Sequence, residues 1–151
     1  MTPNTDLIAT DIEEIIVGQL LFDADVTAKA ARKLKPEHFG ISIHATIYST
    51  CLDLWRDGIG VDVITVGDRL KRTGRLEDVG GYYALVGFTT RVAASTHFDD
   101  HVGILHDYAA LRTLREAGDT LRSNGVGDDP MELISALSAS VQRATMADGD
   151  E

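Results

Sequence analysis

Proline, glycine and aspartate punctuate this chain at the ends of short apolar runs, most densely between Pro36 and Gly81. There the sequence reads P-E-H-F-x4-H-x2-I-Y-x3-L-D-L-W-x2-G-x2-V-D-V. After one amphipathic segment it continues L-E-D-V-G-G. The apolar residues between the breakers recur at three- and four-residue spacing, which puts them on one face of a helix, and strand-like alternation is scarce. Such a chain can bury its apolar residues only by packing helices on helices, so the expected fold class is all-α.

The periodicity predicts seven helices. The first, over Asp11–Phe22, places Ile12, Ile15, Ile16, Gln19 and Leu20 on one face, with Thr10 or Asp11 as its cap. A second over Ala24–Leu34 stops before Pro36, because a residue ahead of proline avoids helical angles. The third, Ser42–Asp57, opens on a serine cap, turns Ile43, Ile47, Thr50/Cys51 and Leu54 inward, and closes at Gly58. The fourth, Asp62–Arg72, buries Ile64, Val66 and Leu70. The fifth, Gly81–Phe88, presents Tyr82, Leu85, Val86 and Phe88. These five make a compact head over residues 11–92.

Two longer segments follow. Thr96–Ser123 has apolar residues at Ile104, Tyr108, Leu111, Leu114, Gly118 and Leu121. Pro130–Met146 repeats the three–four alternation at Ile134, Leu137, Val141 and Ala144. Asn124–Pro130 is a turn, with proline at the first position of the next helix. Coiled-coil-like spacing on two consecutive helices predicts an antiparallel hairpin over residues 93–146. A hairpin that long projects from a small head and leaves a second apolar stripe uncovered, which self-association would bury. Residues 1–10 and the acidic tail 147–151 are expected to be disordered.

Charge narrows the function. The chain of 151 residues carries a net charge of −10, with six acids and no lysine or arginine in residues 1–28. Nucleic-acid binding draws on cationic side chains that neutralise phosphates, so strong direct DNA binding is not expected. Two basic clusters (Lys29, Arg32, Lys33, Lys35, and Arg69, Lys71, Arg72, Arg75) fall at predicted helix C-termini, where cations complement the helix dipole. No apolar run approaches the roughly 20 residues of a membrane helix. The N-terminus lacks a signal-peptide pattern, and lone Cys51 cannot form an internal disulfide; both fit a cytoplasmic protein with no membrane partner.

The sequence offers little to catalysis. A P-loop needs G-x4-G-K-[ST], and no Gly-Lys pair occurs. Gly125 and Gly127 run into Asp128 and Asp129, which would repel phosphate. His97 and His101 stand at i and i+4 beside Asp100, a spacing that can ligate zinc. No distant ligand joins them, and they also make an ordinary helix start, so neither a metal site nor any cofactor is assigned. His38 and His44 stand alone, His44 as a packed, hydrogen-bonded residue. Cys51 is read as a buried inert thiol and Trp55 as core.

Together with E-E-I-I-V-G-Q-L-L-F-D at Glu13–Asp23, the Pro36–Gly81 stretch resembles the N-terminal domain of the DnaB family of bacterial replicative DNA helicases. The matching positions include Glu13, Gly18, Leu20, Asp23, Pro36, Phe39, His44, Ile47, Tyr48, Gly58, Asp62, Leu70, Gly80 and Gly81. In the second half, Ala110–Leu114 resembles the family's leucine–arginine run. The chain departs at Ala84, where the family often has tyrosine, and at 91–97, which lacks the usual proline.

The resemblance implies a collar domain, without the ATPase motor, that oligomerises through its hairpin and docks primase, a helicase loader or the helicase motor. Leu111, Leu114, Leu121, Ile134, Leu137 and Val141 are the expected self-association residues. Arg112, Arg115 and Arg122 are the expected partner patch. A stand-alone phage or mobile-element protein that binds a helicase as loader, adaptor or inhibitor is the alternative, and the Met1 start and acidic finish lean toward a natural reading frame.

Overall fold

The computed structural model describes residues 8–92, 97–123 and 129–146, with side chains as far as 143. The expected disorder of residues 1–10 and 147–151 and the turn at 124–128 therefore lie almost wholly outside the described residues. All seven helices are present: α1 (Thr10–Phe22), α2 (Val26–Lys33), α3 (Ser42–Arg56), α4 (Val63–Arg72), α5 (Gly81–Thr90), α6 (Phe98–Ser123) and α7 (Pro130–Met146). One-turn 3₁₀ helices at Pro36–His38 and Glu77–Val79 fill two of the connections. No strand occurs among the described residues, and the fold is all-α.

The breakers act as expected. After α3, the Ile59 amide donates to the Leu54 carbonyl (2.9 Å) across Gly58, which sits at φ +73°. After α4, Arg75 reaches Leu70 (2.8 Å) across Gly74 at φ +72° in the same way. Only glycine takes that left-handed turn at little cost, so each helix ends two residues before its breaker. At the start of α4, Asp62 Oδ1 accepts from the Thr65 amide (2.8 Å) while the Thr65 hydroxyl accepts from the Asp62 amide (3.0 Å). The expected caps of α1 and α3 do not form. Thr10 and Ser42 are already the first helical residues, preceded by Ala9 and Ile41, and neither helix has a side-chain cap bond.

The head's core gathers Ile16, Val17 and Leu20 of α1, Ile47, Tyr48, Cys51 and Leu54 of α3, Val66 and Leu70 of α4, and Leu85 of α5. Two close approaches tie it. At Gly18 an added Cβ would lie 2.4 Å from the Phe88 carbonyl oxygen, so α1 and α5 cross backbone to backbone. At Gly67 the place of a Cβ is taken by the Tyr82 ring.

Several expected inward residues point out instead: Ile43, Ile64, Tyr82 and Val86 are exposed, and so is Trp55 (43%). On α3 the expected Ile47, Thr50, Cys51 and Leu54 are buried, and only Ile43 is replaced, by His44, which has a buried partner. Trp55 lies in the last turn of α3, beyond the point where α1 and α4 cover that helix's inward face, marked by Leu54.

Helix α6 belongs to both halves. Phe98, Val102, Leu105 and Ala109 are buried, and the first three join the head's core. Their four–three–four spacing is a stripe distinct from the expected Ile104–Leu121 stripe. The head is therefore completed by the first three turns of α6, and only the remainder projects with α7.

Candidate interaction surface

Beyond Ala109, α6 packs against α7 through small side chains. Thr113, Ala117 and Thr120 face Ala136 and Ser140 across a groove of about 200 Å³, with Leu121, Leu133 and Leu137 along its edges. Ala117 is the one residue of this stretch that is buried. The large apolar side chains turn the other way. Leu111 (48%), Leu114 (44%), Ile134 (56%), Val141 (39%) and Leu137 (36%) are all exposed, as are Ile104 and Met131. Among the described side chains of α7 none is buried. The groove thus mixes small residues with Leu121, Leu133 and Leu137, while Leu111, Leu114, Ile134 and Val141 stay outside it, more apolar surface than a solvated helix pair leaves uncovered. Five of the six residues expected to self-associate are in this exposed set, Leu137 at the groove's margin. Leu121 is partly buried in the groove instead.

The three arginines expected to form a partner patch separate. Arg122 is exposed and paired with Asp119 at 3.1 Å. Arg115 is partly buried on the same helix. Arg112 is drawn into the head: its Nη2 donates to the His38 carbonyl (2.8 Å) and burial lowers its pKa.

Arg112 enters a built polar joint that sequence reasoning did not find. Glu13 is fully buried in α1, and its carboxylate accepts from the Gly40 amide (2.9 Å), the Ile41 amide (3.1 Å) and His44 Nδ1 (3.1 Å). The one legible signal was position. Ala9, Glu13, Ile16 and Leu20 share the buried stripe of α1, so an acid there must have buried donors. His38 does not stand alone either. Its ring packs edge-on against that of His106, centroids 4.8 Å apart, and its Nδ1 accepts from the Lys35 amide at 3.0 Å. Burial first, then His106, Lys35 and Arg112, against the opposing Glu37, lowers its pKa to about 4. His106 Nε2 in turn donates to the Lys33 carbonyl (2.6 Å), and Lys33 Nζ pairs with Asp99 (2.7 Å).

The remaining candidates carry no chemistry. Cys51 is buried and its thiol is pushed up to about 12 by desolvation, which leaves almost no thiolate at neutral pH. His97 and His101 rings lie 6.4 Å apart at the start of α6, with His97 Nδ1 3.6 Å from Asp100. No group of three or more metal-ligating side chains occurs among the described residues. No described helix is long and apolar enough to cross a membrane.

Comparison with known proteins agrees with this architecture. The family model described as "DnaB-like helicase N terminal domain" matches residues 5–107. The chain is 31% identical over 137 residues to replicative DNA helicase DnaB of Rhodothermus marinus, covering 89% of this chain and 14% of that protein. It is 30% identical over 146 residues to DnaB of Leifsonia xyli, covering 95% and 31%. The chain thus spans less than a third of the length of these relatives. The crystal structure of the N-terminal domain of DnaB helicase from Mycobacterium tuberculosis superposes with a TM-score of 0.81 at 26% identity, covering 90% of this chain and 97% of that one. A DnaB-like replicative helicase solved with its interactions with primase shares the fold at 24% identity, with a TM-score of 0.71 over 93% of this chain and 32% of that one. With seven helices in that arrangement and a family match over more than two thirds of its length, the chain belongs to the DnaB-like helicase N terminal domain family.

Proposed function

We propose that this chain is a non-catalytic interaction and oligomerisation domain of a replicative DNA helicase, working in DNA replication by pairing with a second copy and offering the pair as a docking platform for primase or a loader. The observation that carries the reading is the exposure of Leu111, Leu114, Ile134, Leu137 and Val141 along the hairpin. Each of these side chains is already about half covered, so full burial in a pair adds roughly 1 kcal/mol apiece, contributed twice across a two-fold interface. Arg115 and Arg122 remain the hairpin's candidate docking cations, Arg112 being committed to the head. A solved DnaB-like relative described with its interactions with primase makes primase the first partner to try.

Light scattering across a concentration series tests the pairing. The wild-type chain is expected to reach the dimer mass or higher, and Leu114→Glu with Ile134→Glu to stay monomeric with its head folded. A wild-type chain that is strictly monomeric at several hundred micromolar would sink the proposal. Mixing the chain with cognate helicase and primase, and following unwinding, separates a docking platform from a stand-alone loader or inhibitor; binding to neither excludes both.

A further inference from the structure

Three polar ties from α6 to the head end on one short stretch of chain, residues 33–38. Asp99 holds the Lys33 ammonium, His106 the Lys33 carbonyl and Arg112 the His38 carbonyl. Asp99 and His106, seven apart, share one side of α6, and Arg112 reaches the same stretch from about a third of a turn round the helix. The stretch is a turn, the end of α2 followed by Pro36–His38, and its far side is pinned by Glu13 through the Gly40 and Ile41 amides. It is thus a clamp between α1 and α6, and the hairpin's angle to the head depends on its shape.

Its shape depends on His38 being neutral. His38 Nδ1 must have a free lone pair to accept the Lys35 amide, and that bond caps the 3₁₀ turn that the His38 amide closes on the Lys35 carbonyl (3.0 Å). A proton on Nδ1 turns the acceptor into a donor facing a donor. It also places a cation, 7% exposed, against the His106 ring and beside Arg112 and Lys35. The groups facing His38 are His106 and Arg112 of α6 and Lys35 and Glu37 of its own turn. Among these only Glu37 favours the charged ring. Farther round the joint, Glu13 of α1 is engaged with His44 of α3 and, with Glu116, favours the charge on Arg112.

We propose that the head–hairpin joint is a proton-sensitive hinge, in which protonation of His38 undoes the 33–38 clamp and frees the hairpin to swing while the head stays folded. The apolar seam at Phe98, Val102 and Leu105 keeps α6 attached, and the ties at His106 and Arg112 are lost. In the open joint the ring returns to its ordinary pKa of 6.5, whereas in the closed joint it is about 4. The closed form is therefore fully favoured above pH 6.5 and loses ground as the pH falls toward 4. By linkage, the open-to-closed ratio at pH 5 is roughly 30-fold that at pH 8. The hinge does not depend on what the hairpin binds.

Double electron–electron resonance on the full chain reads the angle. Spin labels enter through Lys71→Cys on α4 and Ser123→Cys at the end of α6; buried Cys51 stays unlabelled, and an excess of unlabelled chain suppresses distances between copies. The expected result is one distance at pH 8 and a second, reversible population at pH 5 with far-UV circular dichroism unchanged. In His38→Gln, whose amide oxygen can still accept from Lys35 but takes no proton, the second population is expected to be absent. In His106→Gln, which keeps a donor for the Lys33 carbonyl but removes the neighbour that most disfavours a charged His38, the second population is expected to be smaller at pH 5 and to need a lower pH. A wild-type distance that holds from pH 8 to 4.5 overturns the proposal. So does a His38→Gln transition at the wild-type midpoint, or helicity lost in step with the distance change. Should His38→Gln fail to fold, an unshifted midpoint in His106→Gln overturns it equally.

Discussion

Glu13 offers the sharpest test of how the head is held. Its carboxylate is the acceptor for two backbone amides, Gly40 and Ile41, and for His44, all away from water. In Glu13→Ala the side chain disappears and three donors lose their partner at once. A buried donor left unsatisfied costs about 1–3 kcal/mol, and one or two of the three can be rescued by water entering the vacated volume. The expected loss is about 3–5 kcal/mol, a large fraction of the roughly 5–15 kcal/mol that holds a domain of this size. At ~2–4 °C per kcal/mol, the melting temperature should fall by about 6–20 °C. His44→Ala is the control, since it removes one donor and leaves the carboxylate its two amides; it should cost about half as much or less. Chemical denaturation with urea, fitted with a common slope, measures both. A Glu13→Ala loss under about 1 kcal/mol, or one equal to that of His44→Ala, would refute the argument that this buried acid organises the 38–44 loop.

Other substitutions separate contacts of different stiffness. Gly18→Ala drives a methyl against the Phe88 carbonyl and should cost about 1–3 kcal/mol, because a crossing backbone cannot step aside. Gly67→Ala meets only the partly exposed Tyr82 ring, which can swing out, and the gain of about 1 kcal/mol in helix propensity should leave it near neutral; thermal melts of the pair decide. Cys51 should resist a thiol reagent at pH 8 in the folded chain and react at once in denaturant, since both burial and its raised pKa withhold the thiolate; partial labelling without denaturant would contradict its placement. Trp55→Ala should cost about 1 kcal/mol by denaturant titration, well short of the 3–5 kcal/mol of a core tryptophan.

What the sequence reveals and what it hides divide along the range of the forces involved. Helix ends were legible because they are decided within five residues: Gly58, Gly74 and Asp62 act on their own backbone neighbours. The inward face of a short helix is set by what lies across from it, and there local spacing misleads. Ile43 and Ile64 have the right periodicity and no partner, while His44 earns burial from a carboxylate 31 residues away.

On the hairpin, helical spacing alone marks the large apolar residues that stay exposed. Leu121 and Arg112 show where that logic stops. α6 carries two stripes in one helix, one completing the head and one leaving it, and their overlap falls at Leu105–Arg112. A residue inside the overlap answers to both halves of the molecule. Arg112 therefore looks like a surface cation in a list of hairpin residues, yet it acts as the tie that fixes the angle at which the hairpin presents its apolar face.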